Sequence, residues 1–230
     1  INVMTPPGYE ASQAAGRRYP VLYLLDGGVE EQDFLHIAGL LHQGGLWGIH
    51  EPVILVGVES RDRRAELTTP SSDPAEQKDF PSHGQSERFR RFLVEEVKPA
   101  VAASFRTSGA SALMGESLAG YFVVDTALRH GEDFERYIAI SPSLWWNRGE
   151  LAKAAPRHLA AGTGAQRLWL SIADEGGEMR SGMDRLVAAL GAQSRVAWTY
   201  RPMPQETHGS IYHPAATQAV REVFPPPKAP

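Results

Sequence analysis

The sequence predicts an α/β fold built on a mostly parallel central sheet with helices on both faces. Short apolar runs typical of strands alternate along the chain with longer segments whose apolar residues recur at helical spacing. Several of these runs are continuously apolar, as expected for strands buried on both sides, and residues 21–25 are the clearest case. The 42% hydrophobic and 22% charged content of the 230 residues is ordinary for a globular protein.

The first half of the chain contains two predicted strands and two predicted helices. They are, in order, a strand over 21–25, a helix over 34–41, a strand over 52–58 and a helix over 86–105. Residues 59–85 are polar and rich in Arg, Ser, Asp and Pro, so we expect a long surface loop there. Ser86 is the expected N-cap of the helix that follows, and Pro99 is expected to kink or end that helix.

The second half continues the alternation. Its predicted elements are a strand from 111 into a turn at 117, a helix over 118–129, strands over 137–140 and 167–173, a helix over 178–190, a strand over 195–200 and a helix over 214–224. No internal repeat or domain boundary is visible, so we expect a single domain over residues 1–230. Residues 1–4 resemble the middle of a strand, and we therefore expect that the N-terminal strands of the fold are missing.

Composition excludes several classes of function. The net charge of −4 and the pI near 6.1 do not favour binding to nucleic acid or to an anionic membrane. No apolar run approaches the ~20 residues needed to insert across a bilayer. The absence of cysteine excludes disulfides, thiol nucleophiles and cysteine metal sites. No metal or organic cofactor is indicated, and compartment (cytoplasmic, periplasmic or secreted) and oligomeric state stay open.

The most informative motif is the turn around Ser117. An apolar strand runs into Gly115-Glu-Ser-Leu-Ala119 and a helical pattern follows at once. A strand–serine–helix turn pushes the serine oxygen clear of the backbone and leaves the next N–H at a helix start, where negative charge is favoured. The pattern Gly-x-Ser-x-Gly expects glycine at 119, and here glycine comes one place later, at 120.

A serine nucleophile needs a general base oriented by a carboxylate, and the chain has candidates for both after Ser117. His208 follows the last strand, which is where sites in α/β sheets gather. His213 is the rival base, although we interpret it as a helix-start residue. Glu175 and Asp174 both follow the strand that ends at residue 173. Glu175 is preferred as the acid, with Asp174 as the alternative.

An ester carbonyl under attack also needs two hydrogen-bond donors for its developing oxyanion. The backbone N–H of Leu118 is one expected donor. The second is expected from Gly27 or Gly28, in the loop after an early strand, because glycine lets the backbone approach a substrate closely.

Two groups of side chains are candidates for substrate binding. Trp145 and Trp146 follow a strand, and because adjacent tryptophans cannot both enter one core, we expect one to line a pocket. Arg64, with Arg61 and Arg63 beside it, could hold an anionic substrate, although a solvated loop also explains them.

Six segments together resemble one known family over nearly the whole chain. They are residues 19–27, 57–61, 64–70, 115–120, 141–146 and 208–210. They are similar to the esterase D-like branch of the α/β-hydrolases, which includes siderophore trilactone esterases, S-formylglutathione hydrolase, feruloyl esterases and mycolyltransferases. The segment Ser-Pro-Ser-Leu-Trp-Trp at 141–146 is most like the siderophore esterases.

The resemblance implies an α/β-hydrolase fold, Ser117 as nucleophile and His208 as base. It also implies that the acid is optional, since some siderophore esterases use a Ser–His pair without one. Ala119 departs from the double glycine of the family. We therefore expect a serine carboxylesterase acting on a small-molecule ester: short-chain, aryl or siderophore lactone. Acyl transfer at the same site and a non-catalytic binding module are the alternatives.

Overall fold

The computed structural model describes residues 1–30, 33–161, 167–193 and 196–226 and is built around a seven-stranded sheet. The strands are β1 (Asn2–Met4), β2 (Tyr19–Leu25), β3 (Ile54–Val58), β4 (Thr107–Glu116), β5 (Arg136–Ile140), β6 (Arg167–Ala173) and β7 (Ala197–Met203). Their order across the sheet is β1-β3-β2-β4-β5-β6-β7, and all neighbours are parallel except β1, which runs antiparallel to β3.

Helices connect the strands. They are α1 (Phe34–Leu46), α2 (Arg63–Glu66), α3 (Pro74–Asp79), α4 (Ser86–Phe92), α5 (Lys98–Ser104), α6 (Leu118–Arg129), α7 (Trp146–Ala160), α8 (Gly177–Gln193) and α9 (Tyr212–Val223), with a 3₁₀ turn at Glu10–Ser12 and a π-helical segment at Leu93–Val97. Within the described residues, no helix is long and apolar enough to cross a membrane.

The sheet is covered on both faces, as predicted. One apolar cluster joins the sheet to α4, α6, α7 and α8, and Phe122 and Leu151 are among its buried members. A second joins the other face to α1 and α9 through residues such as Ile37 and Ala216. Every residue of β2 and β3 is buried, which explains the continuous apolar runs in the sequence. The predicted α/β fold is confirmed.

The segment 59–85 differs from the prediction of a surface loop. It contains the short helices α2 and α3, and Leu67 and Thr68 are fully buried within it. Asp62 and Asp73 cap the two helices by accepting hydrogen bonds from the backbone N–H groups of Ala65 and Ala75. The polar composition of the segment therefore reflects helix capping as well as exposure to solvent.

Two boundaries also differ. Ser86 is the first residue of α4, and Gln85 occupies the N-cap position without a side-chain cap. The chain remains helical through the π-helical segment and into α5, where Pro99 is the second residue, so Pro99 does not end the helical run and instead follows directly on its change from π-helical to α-helical geometry. The last strand, β7, ends at Met203, whereas the predicted strand ended at residue 200. The predicted start at residue 195 lies outside the described residues.

Candidate active site

Ser117 occupies a strained turn between β4 and α6. Its backbone has φ +58° and ψ −119°, a conformation that non-glycine residues rarely adopt. The turn is held from both sides: the Ser117 N–H donates to the carbonyl of Ile140 at 3.0 Å, and the N–H of Tyr121 donates to the Ser117 carbonyl at 2.8 Å. This strand–turn–helix geometry presents the hydroxyl at the carboxyl end of the sheet.

Close packing around the turn explains the shifted glycine pattern. A Cβ added at Gly115 would lie 2.7 Å from the backbone carbon of Ala119, and one added at Gly120 would lie 2.9 Å from the Ile140 carbonyl oxygen. Gly115 therefore leaves the room that the Ala119 methyl group occupies. Because a Cβ at either glycine would collide with backbone atoms, the turn depends on glycine at 115 and 120. With glycine at 115, there is space for alanine at 119.

His208 and Glu175 form a hydrogen-bonded row with Ser117. The Nε2 atom of His208 lies 3.1 Å from the Ser117 Oγ, and its Nδ1 atom is paired with Oε1 of Glu175. The Glu175 side chain is only 9% exposed, whereas the neighbouring Asp174 is exposed. Of the two carboxylates expected from the sequence, the structure brings Glu175 to the histidine.

The electrostatics of the row favour a basic histidine. The hydrogen bond that His208 donates to Glu175 is the largest influence and raises the pKa of His208 above its usual 6.5, although burial opposes the shift. Glu116 lies close enough to His208 to act on the same pKa in the same direction. Burial raises the pKa of Glu116 itself to about 7.

His213, the rival base, lies elsewhere. Its ring stacks on that of His36, with centroids 4.3 Å apart, and it occupies the first turn of α9. The sequence interpretation of His213 as a helix-start residue agrees with this position.

The expected oxyanion donors have different outcomes. Leu118 is the first residue of α6, so its N–H has no partner within the helix, and it lines the cavity beside Ser117. The expectation for Gly27 is wrong, because its N–H donates to the carbonyl of Val58 at 3.0 Å and so serves the sheet. Gly28 accepts a hydrogen bond from the N–H of Phe34, and its role as a donor stays a prediction.

A cavity of about 630 Å³ opens over Ser117. Its lining combines the Ser–His–Glu row with two arginines, two aromatic side chains and a methionine. The lining residues are Arg63, Arg64, Phe80, Ser117, Leu118, Ser143, Trp145, Glu175, Gly176, Met179 and His208. The cavity is large enough for an organic ligand and is mainly apolar with a few convergent polar groups, as is usual for small-molecule sites.

One tryptophan lines the cavity and the other is buried, as the sequence suggested for the pair. The assignment of Trp146 as a substrate-binding residue is therefore wrong. Trp145 is partly exposed and lines the cavity. Trp146 is fully buried and donates its indole N–H to the carbonyl of Thr69 at 3.0 Å, so it is not a substrate-contacting residue. Its ring meets Trp145 edge-on, with centroids 5.9 Å apart. Trp146 thus supports the wall that Trp145 presents.

Two of the three arginines line the cavity. Arg63 lines the cavity, and its Nε atom lies 2.8 Å from the Asp26 carboxylate. Arg64 lines the cavity too and lies over the ring of Phe80, 4.7 Å from the centroid. Arg61 is exposed and is not among the lining residues. Residues 59–85 therefore form one wall of the cavity.

Four lining residues were not expected from the sequence, and one of them, Gly176, directly follows Glu175. Phe80 lies in the segment that was predicted to be a loop. Met179 lies in the first turn of α8, and an apolar residue in a helix is ordinarily interpreted as part of the core. Ser143 is different because a signal existed: it belongs to the Ser-Pro-Ser-Leu-Trp-Trp segment. Its Oγ lies 3.3 Å from that of Ser117, and its N–H donates to the Ser117 carbonyl at 2.9 Å.

The mostly parallel sheet and the serine turn at the end of its fourth strand together define an α/β-hydrolase fold. Comparison with known families identifies the branch. The family model "Putative esterase" matches residues 1–213, and the chain belongs to this family.

Three of the curated relatives are siderophore esterases. The chain is 29% identical over 150 residues to ferri-bacillibactin esterase BesA of Bacillus subtilis, covering 59% of this chain and 51% of the relative. It is 30% identical over 172 residues to the siderophore enterobactin esterase of Emericella nidulans, covering 66% and 55%. The chain thus spans about half the length of the curated relatives it matches.

A solved structure agrees in fold over almost the whole chain. An IroE-like serine hydrolase from Shewanella oneidensis superposes with a TM-score of 0.83 at 26% identity, covering 96% of this chain and 74% of the other.

Proposed function

We propose that this chain is a serine ester hydrolase that works through an acyl-enzyme on Ser117. The observation that carries the proposal is the row in which His208 joins the Ser117 hydroxyl to the Glu175 carboxylate. A serine hydroxyl is a weak nucleophile unless a base accepts its proton, and this arrangement supplies a base that is oriented by an acid.

The first half of the reaction forms the acyl-enzyme. Ser117 Oγ attacks the ester carbonyl carbon while Nε2 of His208 accepts the hydroxyl proton. Glu175 accepts a hydrogen bond from Nδ1–H and stabilises the imidazolium that forms. The Leu118 N–H, at the positive end of α6, stabilises the oxyanion. The C–O bond of the ester then breaks, and His208 returns its proton to the alcohol that leaves.

The second half releases the acid. A water molecule enters the place of the alcohol, gives a proton to His208 and attacks the acyl carbon. The tetrahedral intermediate collapses, and the proton returns from His208 to Ser117 Oγ, which restores the free enzyme.

We propose a siderophore-type ester as the substrate class, because the named relatives are siderophore esterases. The cavity suits such a molecule: Trp145 and Phe80 offer aromatic surfaces, and Arg63 and Arg64 offer positive charge for catecholate oxygens. A cavity of about 630 Å³ that opens to solvent also lets part of a large ester remain outside.

The direct test of hydrolysis compares Ser117→Ala with wild type on p-nitrophenyl acetate. We expect kcat/KM to fall by about 10³-fold or more, since the nucleophile is removed, while the far-UV circular dichroism spectrum is unchanged. Ser181→Ala is the matched control, because this serine lies on α8 outside the cavity lining and should leave the rate unchanged. Turnover retained in purified Ser117→Ala would contradict the mechanism.

A second assay tests the substrate class. Short-chain, feruloyl and catecholate trilactone esters are compared by kcat/KM with the same enzyme preparation. The proposal predicts the highest value for the trilactone. A higher value for a simple acetyl or feruloyl ester would leave the serine mechanism intact and contradict the siderophore assignment.

A further inference from the structure

A cluster of three potential metal ligands lies outside the cavity. Asp33 directly precedes α1, His36 is in the first turn of α1, and His213 is in the first turn of α9. The potential ligand atoms of these side chains all lie within 4.8 Å of one another. We propose that this cluster is a binding site for a divalent transition-metal ion such as Zn²⁺.

The fold holds the two ligand-bearing helices together. Phe34 and Ile37 of α1 pack in the same buried apolar cluster as Tyr212 and Ala216 of α9. Asp33 and His36 are three positions apart, a spacing that puts side chains on one side of a helix. Because the buried neighbours of the ligands anchor both helices, the cluster rests on packed elements of the fold.

The ligand types define the class of ion. Two imidazoles and one carboxylate suit Zn²⁺ and its first-row neighbours, whereas Mg²⁺ and Ca²⁺ prefer oxygen ligands alone. Metal–ligand bonds of about 2.0–2.2 Å place the ligand atoms roughly 3.3 Å apart in a tetrahedral site. The imidazoles of His36 and His213 are exposed, so the side-chain rotations that would bring their nitrogens to this separation, and end the stacking of the two rings, do not involve the core.

The surroundings also favour a cation. The Asp33 carboxylate interacts electrostatically with that of Glu116 and with that of Asp26, which is itself paired with Arg63. Nearby negative charge attracts a divalent ion and offsets part of the cost of removing its water. The sequence alone does not indicate a metal here, because His213 is distant in sequence from the other two ligands.

The site has a defined relation to the candidate active site. Asp33 donates its backbone N–H to the carbonyl of Asp26, at the start of the loop after β2. His213 follows His208 by five residues. An ion bound between Asp33 and His213 would therefore tie the loop after β2 to the turn that carries His208, and it should stabilise the fold.

Competition with a chromogenic zinc chelator tests the site in the metal-free chain. We expect one Zn²⁺ per chain in wild type, and an affinity at least ~10-fold lower in His36→Ala and in His213→Ala, because each removes a direct ligand. His42→Ala is the matched control, since His42 is an exposed histidine of α1 outside the cluster. His208→Ala should also keep the ion. Equal affinities in wild type, His36→Ala and His213→Ala, or loss of binding in His208→Ala alone, would overturn the proposal.

Thermal unfolding provides a second readout that does not depend on ester hydrolysis. At a Zn²⁺ concentration ~100-fold above Kd, the melting temperature of wild type and of His42→Ala should rise by about 5–10 °C. The same addition should raise the melting temperature of His36→Ala and of His213→Ala by no more than about half as much. Asp33→Asn provides a further ligand variant if either alanine variant folds poorly without metal. An equal rise in all variants, or no rise in wild type, would contradict the site.

Discussion

At the scale of single residues, the candidate site depends on which carboxylate meets His208. Glu175 and Asp174 are adjacent in sequence, and both follow β6. The backbone N–H of Asp174 donates to the carbonyl of Glu206, which fixes the chain so that the next side chain turns inward to the histidine. The sequence alone could name the pair, but the choice between its members depends on this contact with a residue 32 positions away.

The role of Glu175 predicts a change in both rate and pH dependence. Glu175→Gln should lower kcat by about 10²- to 10⁴-fold, because the imidazolium loses its charged partner. The proposed mechanism needs neutral His208, whose pKa is raised above 6.5 chiefly by its hydrogen bond to Glu175. The acidic limb of the kcat/KM profile should therefore lie above pH 6.5 in wild type and move to lower pH in Glu175→Gln.

Asp174→Asn is the matched control for this experiment, since it removes the neighbouring, exposed carboxylate. Its rate and pH profile should match those of wild type. A large loss in Asp174→Asn with little change in Glu175→Gln would reverse the assignment of the acid.

At the scale of elements, the β4–turn–α6 unit was the best predicted part of the chain. The structure starts α6 at Leu118 and ends it at Arg129, as expected from the helical spacing and the glycine-rich turn. Local chemistry dictates this unit, so local sequence reveals it. The wall formed by residues 59–85 could not be found in this way, because its position depends on the hydrogen bond from Trp146 to Thr69 across 77 positions.

The packing of the turn predicts a cost for Gly115→Ala. The added methyl group would meet the backbone of Ala119 at 2.7 Å, so β4 and α6 must separate. We expect the free energy of unfolding, measured in urea, to fall by about 1–3 kcal/mol.

Gly39→Ala is the control at this scale, because Gly39 lies in α1 with no atom within 4 Å of an added Cβ. It should stabilise the chain by roughly 0.5–1 kcal/mol through helix propensity. Equal stabilities for the two alanine variants would show that the turn has room that the structure does not indicate.

At the scale of the whole molecule, the parallel strand order gathers the candidate site at one edge of the sheet. Ser117 follows β4, Glu175 follows β6 and His208 follows β7, so three distant segments meet because their strands end together. The sequence predicted this meeting because strand-end positions can be read from apolar runs. It could not predict that the same edge would bury a second carboxylate, that of Glu116, beside the hydrogen-bonded row of Ser117, His208 and Glu175.

Burial of Glu116 predicts a pH-dependent cost to global stability. Its pKa is raised from 4.5 to about 7 in the folded chain, so its contribution is fully present below pH 4.5 and is lost as the pH rises through 7. Glu116→Gln should therefore gain stability over wild type, on the order of 1 kcal/mol, at pH 8 and almost none at pH 4.5.

Urea unfolding of both proteins at the two pH values measures this difference. Glu95→Gln is the control, because Glu95 is exposed on the surface and paired with Arg91. It should show no gain on going from pH 4.5 to pH 8. A gain for Glu116→Gln that is the same at both pH values would mean that the carboxyl titrates normally.

The most direct test of the central claim is labelling with a fluorophosphonate, which reacts with an activated serine. Wild type should take up one label per chain, and mass spectrometry of its peptides should locate the label on Ser117. His208→Ala should label far more slowly because the base is gone. A folded wild-type chain that takes no label, or takes it on another serine, would contradict the assignment of Ser117 as the nucleophile and favour a non-catalytic binding module.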